Sequence, residues 1–513
     1  MTKLQRRLLF FFFFFLFLLT VPLVILFVQG YRFDRTSGIF IYSGSISIKS
    51  WPREIEVYLN GKKYTGKKGS LINETFIING LRPGKYRLSC RKEGYSSWEK
   101  DIEVHSGIST EFWNVLLFPL PTKMEQEKYE ASQSVHRFFI SPRENNELVF
   151  LKEENSKNVL KLLDLKNGQT EDIFSFSDWQ LPDPQDQENV EWSSDKKALL
   201  IPVRDSSGHK EYFVGEIKKN QLFEPIRLSE RFFSLTTKEN IHLNKDYTSE
   251  KFKKVRWMFD KNDELVILTD KHNLFYFNIY QPEKKLLLAE SVSDFDFAGN
   301  RIYYAQSPNN LVWEIKNNDV TTRRQITKTA FSAEIEGGQI NLKVYDEYRL
   351  VMINSLGQIF IFNQEKEKNE TLSEEMQGDF IDSQFSNDGK KLLFWSHNEI
   401  WIMFLRDWEV QPIRKKNEKK MLARFSQPLK NVQWMEDYEN ILFTSGNWLK
   451  SAEIDYRNKI NLVDLLEKKA GWQENEVLYN KASQTLFYLD QKDNQKPVIY
   501  SSLLINKKGP FGF

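Results

Sequence analysis

The sequence of 513 residues predicts an all-β protein in which an N-terminal transmembrane helix precedes a small β-sandwich and a seven- or eight-bladed β-propeller. Three observations predict this class: an uncharged apolar run near the start, short alternating segments separated by turn residues, and a weak repeat of about 40–50 residues over the remainder. Aromatic residues favour half-buried strands and make up 14% of the chain, which supports the β assignment.

The composition excludes one class of function. The 72 Lys and Arg residues almost balance the 70 Asp and Glu residues, and a net charge of +2 provides no basic surface for a phosphate backbone. Nucleic-acid binding is therefore not expected. The single cysteine, Cys90, cannot form an internal disulfide, and we expect it to lie buried in a strand as a small apolar residue.

The N-terminal run Leu8–Val28 contains no charged residue. A helix of about 20 apolar residues crosses the ~30 Å hydrocarbon core of a bilayer, so the run is long enough to span it. Basic residues flank the run on both sides: Lys3, Arg6 and Arg7 before it, Arg32 and Arg35 after it. The positive-inside bias predicts that residues 1–29 form a cytoplasmic tail and anchor, and that the rest of this single-pass protein lies outside the cell membrane.

A cleaved signal peptide is the alternative interpretation of this run, with Val28-Gln29-Gly30 as the cleavage site. The apolar run is longer than the apolar core of a signal peptide, which usually has about 7–15 residues. We therefore expect the helix to be retained. Both interpretations place the body of the protein on the extracytoplasmic side.

Residues 44–118 carry the pattern of a small antiparallel β-sandwich. Turn residues separate four alternating runs: Ser45–Lys49, Ile55–Leu59, Tyr86–Arg91 and Asp101–Val104. Asn60-Gly61 predicts a hairpin turn, because both positions of such a turn need φ > 0. Pro83-Gly84 predicts a second turn, and Gly94 interrupts the chain before Tyr95.

This segment resembles a PEGA domain. The matching features, in chain order, are Gly44 at the start of a strand, Val57–Lys62, Leu81–Leu88, Lys92–Val104 and Val115–Pro119. Pro52-Arg53-Glu54-Ile55 stands where the family has its Pro-Glu-Gly-Ala tetrapeptide. The resemblance implies an extracytoplasmic β module without known catalytic residues. In such a module Gly61, Gly84 and Gly94 form turns and Trp98 covers the core.

A weak repeat follows, in which each unit has an apolar and aromatic segment, a polar turn and two short apolar strands. Val190–Val203, Val255–Asp270 and Val432–Gly446 are examples, and eight candidate units begin near residues 135, 189, 253, 293, 340, 380, 430 and 472. Units of about 40–50 residues with four strands are typical of propeller blades. We therefore predict a propeller over residues 130–505 with an insertion around Arg231–Glu250. Two stacked β-sandwich domains are the alternative.

Two turns in this region resemble those in the blades of Tol-system periplasmic propellers, namely Ser386-Asn387-Asp388-Gly389 and Ser193-Ser194-Asp195. Asp388-Gly389 lacks the series of oxygen ligands of a calcium loop, so we interpret it as a turn. The order of helix, sandwich and propeller resembles a group of bacterial envelope proteins, in which Ser445–Leu465 is the most typical segment. That resemblance implies architecture and location and supplies no catalytic residue.

Local motifs for chemistry are absent from the sequence. No histidine lies within four residues of another, which excludes a local zinc pair: His105, His136, His209, His242, His272 and His397. The sequence also contains no nucleophile elbow, dinucleotide-binding glycine motif or P-loop. We therefore expect no cofactor and assign no catalytic, cofactor-binding or metal-binding residue.

These observations favour a membrane-anchored extracytoplasmic scaffold or binding protein of the cell envelope. Its propeller would bind a partner protein or a cell-wall glycan, and the sequence does not determine the oligomeric state. The alternative is a propeller enzyme that acts on envelope glycans through a site in the central channel. Such an enzyme would bring several Asp, Glu, His or Arg side chains together at the channel mouth, with perturbed pKa values.

Overall fold

A computed structural model describes residues 2–34, 38–64, 67–68, 75–121, 126–129, 135–140, 147–154, 157–183, 188–217, 225–233, 247–331, 339–365, 370–491 and 497–504. The fold class predicted from the sequence is confirmed: one N-terminal apolar helix precedes a body made almost entirely of strands.

Helix α1 (Lys3–Val28) has the length and composition of a membrane span. At 1.5 Å per residue, its 26 residues extend over about 39 Å. A capping box of Thr2 and Gln5 closes the first turn, and the Thr20 hydroxyl donates to the carbonyl oxygen of Leu16. All of its residues are described, and none of their side chains is buried.

A short hairpin follows the helix directly, formed by β1 (Tyr31–Asp34) and β2 (Ile39–Tyr42). The strands pair antiparallel, with Tyr31 opposite Tyr42 and Phe33 opposite Phe40. The sequence analysis did not predict this element.

The small domain is a sandwich of two four-stranded sheets. Its strands are β3 (Gly44–Trp51), β4 (Glu56–Leu59), β5 (Lys62–Tyr64), β6 (Lys67–Lys68), β7 (Phe76–Leu81), β8 (Gly84–Arg91), β9 (Trp98–Val104) and β10 (Ser109–Leu116). One sheet has the order β10-β3-β7-β6 and the other β5-β4-β8-β9. Alternate residues of β3 and β9 point into a shared apolar core that contains Ile46, Leu88 and Ile102.

The predicted turns of this domain occur where the sequence placed them. Asn60 and Gly61 have φ values of 48° and 79° and join β4 to β5. Pro83 and Gly84 join β7 to β8, and Gly94 has a φ of 77° before Tyr95. Cys90 lies in β8 without exposed surface, which confirms the expectation of a strand-buried cysteine, and burial raises the pKa of its thiol.

The described residues beyond the sandwich form eight four-stranded sheets, the blades of a propeller. Blade 1 contains β12 (Val135–Ile140), β13 (Glu147–Glu154), β14 (Lys157–Asp164) and β15 (Thr170–Phe176), and blade 2 contains β16 (Glu191–Trp192), β17 (Ala198–Arg204), β18 (Lys210–Glu216) and β19 (Ile226–Arg227). Blade 3 contains β20 (Phe252–Trp257), β21 (Glu264–Thr269), β22 (Leu274–Asn278) and β23 (Leu286–Ala289), and blade 4 contains β24 (Val292–Ala298), β25 (Arg301–Gln306), β26 (Leu311–Lys316) and β27 (Asp319–Gln325).

Blade 5 contains β28 (Ile340–Asp346), β29 (Arg349–Asn354), β30 (Ile359–Glu365) and β31 (Glu370–Met376). Blade 6 contains β32 (Phe380–Phe385), β33 (Lys391–Ser396), β34 (Glu399–Phe404) and β35 (Lys419–Arg424). Blade 7 contains β36 (Leu429–Trp434), β37 (Asn440–Ser445), β38 (Trp448–Glu453) and β39 (Leu462–Glu467). Blade 8 combines β40 (Val477–Asn480), β41 (Thr485–Asp490) and β42 (Val498–Leu503) with β11 (Gln126–Tyr129) from the start of the propeller.

Blade 8 closes the ring by joining the two ends of the propeller. Because β11 pairs with β42, the propeller begins at Gln126, ahead of the predicted start at residue 130. The predicted end at residue 505 lies outside the described residues. Closure removes an open sheet edge, and the constant four-strand topology excludes two stacked sandwiches.

Apolar clusters fill the spaces between successive blades. Each cluster draws side chains from two neighbouring blades, as Leu265 and Tyr212 do between blades 2 and 3. The predicted insertion in this region begins with a short helix α2 (Leu228–Phe232), whose Leu228 and Phe232 enter the same cluster. Residues 234–246 of the insertion lie outside the described part of the chain.

Candidate functional site: the propeller inner wall and the sandwich interface

The inner wall of the propeller is formed by the first strand of each blade. First strands of successive blades contact one another, β24 with β28 and β36 with β40 among them, which places these strands nearest the propeller axis. From β20, Lys254 Nζ donates to Asp294 Oδ1 of the next blade at 2.7 Å. Arg256 Nε donates to Glu191 Oε1 of the preceding blade at 3.0 Å, and its Nη1 lies 3.4 Å from Asp296 Oδ1.

Carboxylates of this wall also accept backbone N–H groups from the following blade. Asp294 Oδ2 accepts from the amide of Leu342, and Asp296 Oδ2 accepts from the amide of Val344, both at 2.8 Å. The negative charge of Glu191 raises the pKa of Arg256 above its ordinary value against the opposing effect of burial. These ionised groups are therefore compensated within the wall.

The pattern continues around the ring with fewer charges. Lys343 of β28 forms an ion pair with Asp382 of β32. The side chain of Gln384 accepts from the amide of Trp434 in the next blade at 3.1 Å, and the Trp434 indole donates to the carbonyl oxygen of Gln384 at 3.0 Å. Side chains of the wall thus connect one blade to the next.

A separate group of titratable residues lies where β36 and β40 end. The Tyr479 hydroxyl donates to Glu436, and the ammonium group of Lys481 lies near the same carboxylate. Burial lowers the pKa of Lys481 to about 8, with Glu436 opposing the shift. Burial and the charge of Glu436 raise the pKa of Tyr479. We refer to Glu436, Tyr479 and Lys481 as the rim group.

The contact between the sandwich and the propeller is built around a fully buried lysine. Lys100 of β9 has no exposed surface, and its Nζ lies 2.7 Å from Glu453 Oε1 at the end of β38. The same ammonium donates to the carbonyl oxygens of Asp455, Arg457 and Lys459 at 2.6, 3.1 and 2.8 Å. The indole of Trp98 donates to Glu453 Oε2 at 2.8 Å. Every donor of the lysine is therefore matched by an oxygen of blade 7.

Further bonds extend this contact along β10. Arg457 donates to the carbonyl oxygen of Glu111 at 2.9 Å, and its guanidinium lies 4.3 Å from the centre of the Phe112 ring. Gln411, in the loop between β34 and β35, accepts from the amide of Glu111 at 3.0 Å and donates to the carbonyl oxygen of Ser109 at 2.8 Å. A small cavity lies between these residues and Trp98.

The far end of β10 completes the contact with apolar side chains. Leu116 and Phe118 belong to the cluster that fills the space between blades 7 and 8, where they join Met435 and Tyr479. The sandwich therefore contributes apolar side chains to a propeller cluster, beyond the polar contacts at Lys100.

The segment most typical of the envelope group, Ser445–Leu465, contains the loop between β38 and β39 of blade 7, whose carbonyl oxygens accept from Lys100. Sequence reasoning recognised the segment and missed its role. A signal was present in β9, where Trp98, Lys100 and Ile102 occupy inward positions of one alternating strand. A lysine at an inward position needs buried oxygen partners, and the sequence could have indicated a domain contact on that ground.

The predicted structural residues fall into two groups. Trp98 packs in the sandwich core and contacts the propeller, whereas Tyr95 forms an isolated bridge with Pro119 beside the last strand. Asp388 and Gly389 join β32 to β33 as the expected turn. There the Ser386 hydroxyl donates to Asp388 Oδ1 at 2.6 Å, and Gly389 has a φ of 61°.

No group of three or more metal-ligating side chains occurs in the described part of the chain. His242 lies outside that part. His272 uses its Nδ1 in a 2.9 Å contact with the carbonyl oxygen of Val292, which supports a turn between blades 3 and 4.

Comparison with known proteins finds similarities to the sandwich and to the propeller. Residues 43–116 match the model of the PEGA domain. The C-terminal WD40 domain of Sif2 is similar at 11% identity, covering 73% of this chain and 98% of that chain with a TM-score of 0.46. The Dos1 propeller is similar at 10% identity, with 75% and 96% covered and a TM-score of 0.46. The Cps50 (Swd1) propeller of Myceliophteria thermophila is similar at 9% identity, with 74% and 99% covered and a TM-score of 0.42. No curated protein matches the chain. The chain therefore contains a segment that matches the PEGA domain, followed by the eight four-stranded sheets of the propeller, behind one apolar helix.

Proposed function

We propose that this protein is a membrane-anchored, extracytoplasmic scaffold or binding protein of the cell envelope, whose propeller binds a partner protein or a cell-wall glycan. The observation that carries the proposal is the buried contact of Lys100 with blade 7. A buried lysine whose hydrogen bonds are all made fixes the orientation of two domains. If the domains separated, several polar groups would lose their hydrogen-bond partners at once. A propeller held in one orientation behind a helix suits the presentation of a binding surface.

The helix supports the anchoring part of the proposal. None of the side chains of α1 is buried by the described part of the chain, and Arg32, which lies over the Phe27 ring, covers only the end of the helix. A bilayer would cover the remaining apolar surface. Lys3, Arg6 and Arg7 precede the apolar run, which favours a cytoplasmic N-terminus.

The inner wall supports binding over catalysis. Its carboxylates Asp294, Asp296 and Glu191 each bond to a neighbouring blade, and Asp382 is paired with Lys343. Groups that hold blades together are poorly placed to change protonation during a reaction.

Cysteine labelling tests the topology. Cys90 is buried, so new cysteines can be labelled selectively in the otherwise native chain. A membrane-impermeant maleimide should label Y280C, at an exposed propeller position, in intact cells, and should label T2C only after permeabilisation. The reverse pattern, or release of the wild-type protein into the medium, would contradict the proposed anchoring.

Affinity capture from the native envelope tests the binding role. The wild-type protein should retain a partner protein after crosslinking, or bind isolated cell-wall sacculi, in either case without consuming the glycan. Release of soluble fragments from the sacculi would instead indicate catalysis. A K100M variant should lose orientation and therefore reduce capture at the membrane, whereas K63M at an exposed ion pair is the matched control.

A glycan-active enzyme remains the second candidate, and the rim group is the observation that favours it. A lysine with a pKa of about 8 beside a carboxylate and a tyrosine hydroxyl is suited to proton abstraction. If the propeller degrades envelope glycans, K481M should abolish release of fragments while leaving binding intact. Absence of any release by the wild-type protein would exclude this candidate.

A further inference from the structure

The hairpin after α1 exposes an aromatic face. Tyr31 and Tyr42 stack with ring centres 5.1 Å apart, and Phe33 contacts Phe40 edge to face at 5.4 Å. These four rings lie on one side of the hairpin because opposite and alternate residues share a face. Phe33 and Phe40 nevertheless retain 55% and 42% of their accessible surface.

The hairpin is held against the end of the helix. Arg32 Nη1 donates to the carbonyl oxygen of Phe27 at 2.6 Å, and its guanidinium lies 3.7 Å from the centre of the Phe27 ring. Tyr31 follows Val28 by three residues, which limits their separation to about 10 Å even for a fully extended chain. If α1 spans a bilayer, the hairpin lies at the lipid headgroups.

The adjoining end of the sandwich lies at the same level. The amide and hydroxyl of Ser43 both donate to the carbonyl oxygen of Gly30, and the amide of Gly107 donates to the carbonyl oxygen of Ser43. The Tyr42 ring lies directly beside Gly107, where a Cβ atom would approach the hydroxyl to 2.0 Å. The next residue, Ile108, has 54% of its surface exposed.

We infer that Phe33, Phe40 and Ile108 form a lipid-contacting surface that inserts into the outer boundary of the bilayer spanned by α1. Tyrosine favours this boundary, and Tyr31 and Tyr42 lie on the same face as Phe33 and Phe40. An isolated two-stranded hairpin is only marginally stable in water. The strand edges remain at headgroup depth, where water can satisfy their backbone groups. Contact at a second point beside the helix limits rotation and tilt of the sandwich, and through Lys100 it orients the propeller. The inference rests on the proposed anchoring of α1.

Depth-dependent fluorescence quenching tests the inference on the full chain. An environment-sensitive fluorophore would be attached to single new cysteines in vesicles of phosphatidylcholine and phosphatidylglycerol that contain a shallow spin-labelled lipid. F40C and I108C report the proposed surface, V24C reports the helix, and Y280C is the matched control at an exposed aromatic of the propeller. Buried Cys90 contributes no label.

We expect severalfold stronger quenching at F40C and I108C than at Y280C, together with quenching at V24C. Quenching at V24C with F40C and I108C at the level of Y280C would overturn the inference and leave the anchoring intact. Absence of quenching at V24C would overturn the anchoring and the inference together. The two failures are therefore distinguishable.

Discussion

The sandwich is joined to its two neighbours by contacts of opposite character. Towards the propeller, it presents Lys100, which has no exposed surface and is surrounded by oxygen atoms of blade 7. It also adds Leu116 and Phe118 to an apolar cluster of the propeller. Towards the helix, it relies on a few backbone bonds at Ser43 beside a hairpin with exposed aromatic rings.

The sandwich–propeller contact is formed entirely between groups of the protein, whereas the sandwich–helix contact leaves apolar surface exposed. At the propeller, each charged or polar group finds its partner in the same chain, so the geometry is specific and sensitive to single substitutions. At the helix, the rings of Phe33 and Phe40 contact each other and still retain 55% and 42% of their accessible surface. The orientation of the body relative to the membrane should therefore depend on lipid more than on protein packing.

The largest expected effect is that of K100M. Removing the ammonium leaves Glu453 buried without its ion pair and leaves three carbonyl oxygens without this hydrogen-bond donor. The interface should therefore weaken by about 3–5 kcal/mol. Hydrogen exchange of the Glu99 amide, which donates to Asn461, measures this loss locally.

The control for this substitution is K63M, in an ion pair with Glu56 on the exposed side of the same domain. Water screens the charges of an exposed pair, so this pair contributes little to stability and protection of the Glu99 amide should not change. Equal effects of the two substitutions would show that burial of Lys100 has no special role.

The next effect is expected for G107A at the helix side of the sandwich. Gly107 has a φ of 69° and no space for a Cβ atom beside Tyr42, whereas Gly61 has a φ of 79° and open space around it. Both substitutions should lower the free energy of unfolding by about 1–2 kcal/mol, because alanine is strained at a positive φ. G107A should lower it by about 1–3 kcal/mol more, because the new Cβ atom displaces Tyr42.

Hydrogen exchange at residues 43 and 107 measures the effect of G107A, with G61A as the control. Exchange at Glu99 should remain slow in both variants, because the propeller contact is separate from this site. Faster exchange at Glu99 in G107A would show that the two contacts are coupled.

A smaller effect is expected for W98F, which keeps the ring and removes the indole N–H bonded to Glu453. A hydrogen bond to a charged acceptor contributes about 1.5–3 kcal/mol. Trp113 provides the control, since its indole donates to the partly exposed Glu111 at 3.1 Å. W113F should change exchange at the Glu99 amide little, and an equal response to both would contradict the assigned role of Trp98.

The smallest effect concerns the pH dependence of Asp455. Burial raises the pKa of this carboxyl, but hydrogen bonds from Arg457 and the charge of Lys100 outweigh burial and hold it below the ordinary value of 3.8. Its contribution is therefore full above pH 3.8 and is lost as the pH falls through the lower pKa of the folded state. The difference in interface stability between wild type and D455N, about 1 kcal/mol, should be constant near neutral pH and vanish in strong acid. A difference that persists unchanged in acid would contradict this assignment.

The sequence was sufficient where structure follows local periodicity. Unit starts near 135, 340 and 380 coincide with the first strands of blades 1, 5 and 6. β11 escaped notice because Gln126–Tyr129 is a short polar strand whose partner, β42, lies at the other end of the propeller. The hairpin after α1 was missed because its short strands follow the apolar run too closely to stand out.

The candidate site was predictable only in part, because it depends on long-range contacts. Trp98 was recognised as a structural aromatic, yet its bond to Glu453 joins residues of different domains. Lys100 was not singled out, although its inward position in an alternating strand marked it as unusual. No local pattern could pair Lys254 with Asp294 or place Glu436 beside Tyr479, because those contacts arise from the stacking of blades.

Lys100 is expected to hold the sandwich and the propeller together as one rigid unit. Pulsed electron resonance between spin labels at K62C on the sandwich and V320C on blade 4 measures this directly in the membrane-embedded full chain, since Cys90 is buried. We predict a single narrow distance distribution in the otherwise native protein and a broad one when K100M is added. A broad distribution without K100M, or a narrow one that K100M leaves unchanged, would show that Lys100 does not hold the two domains in one orientation.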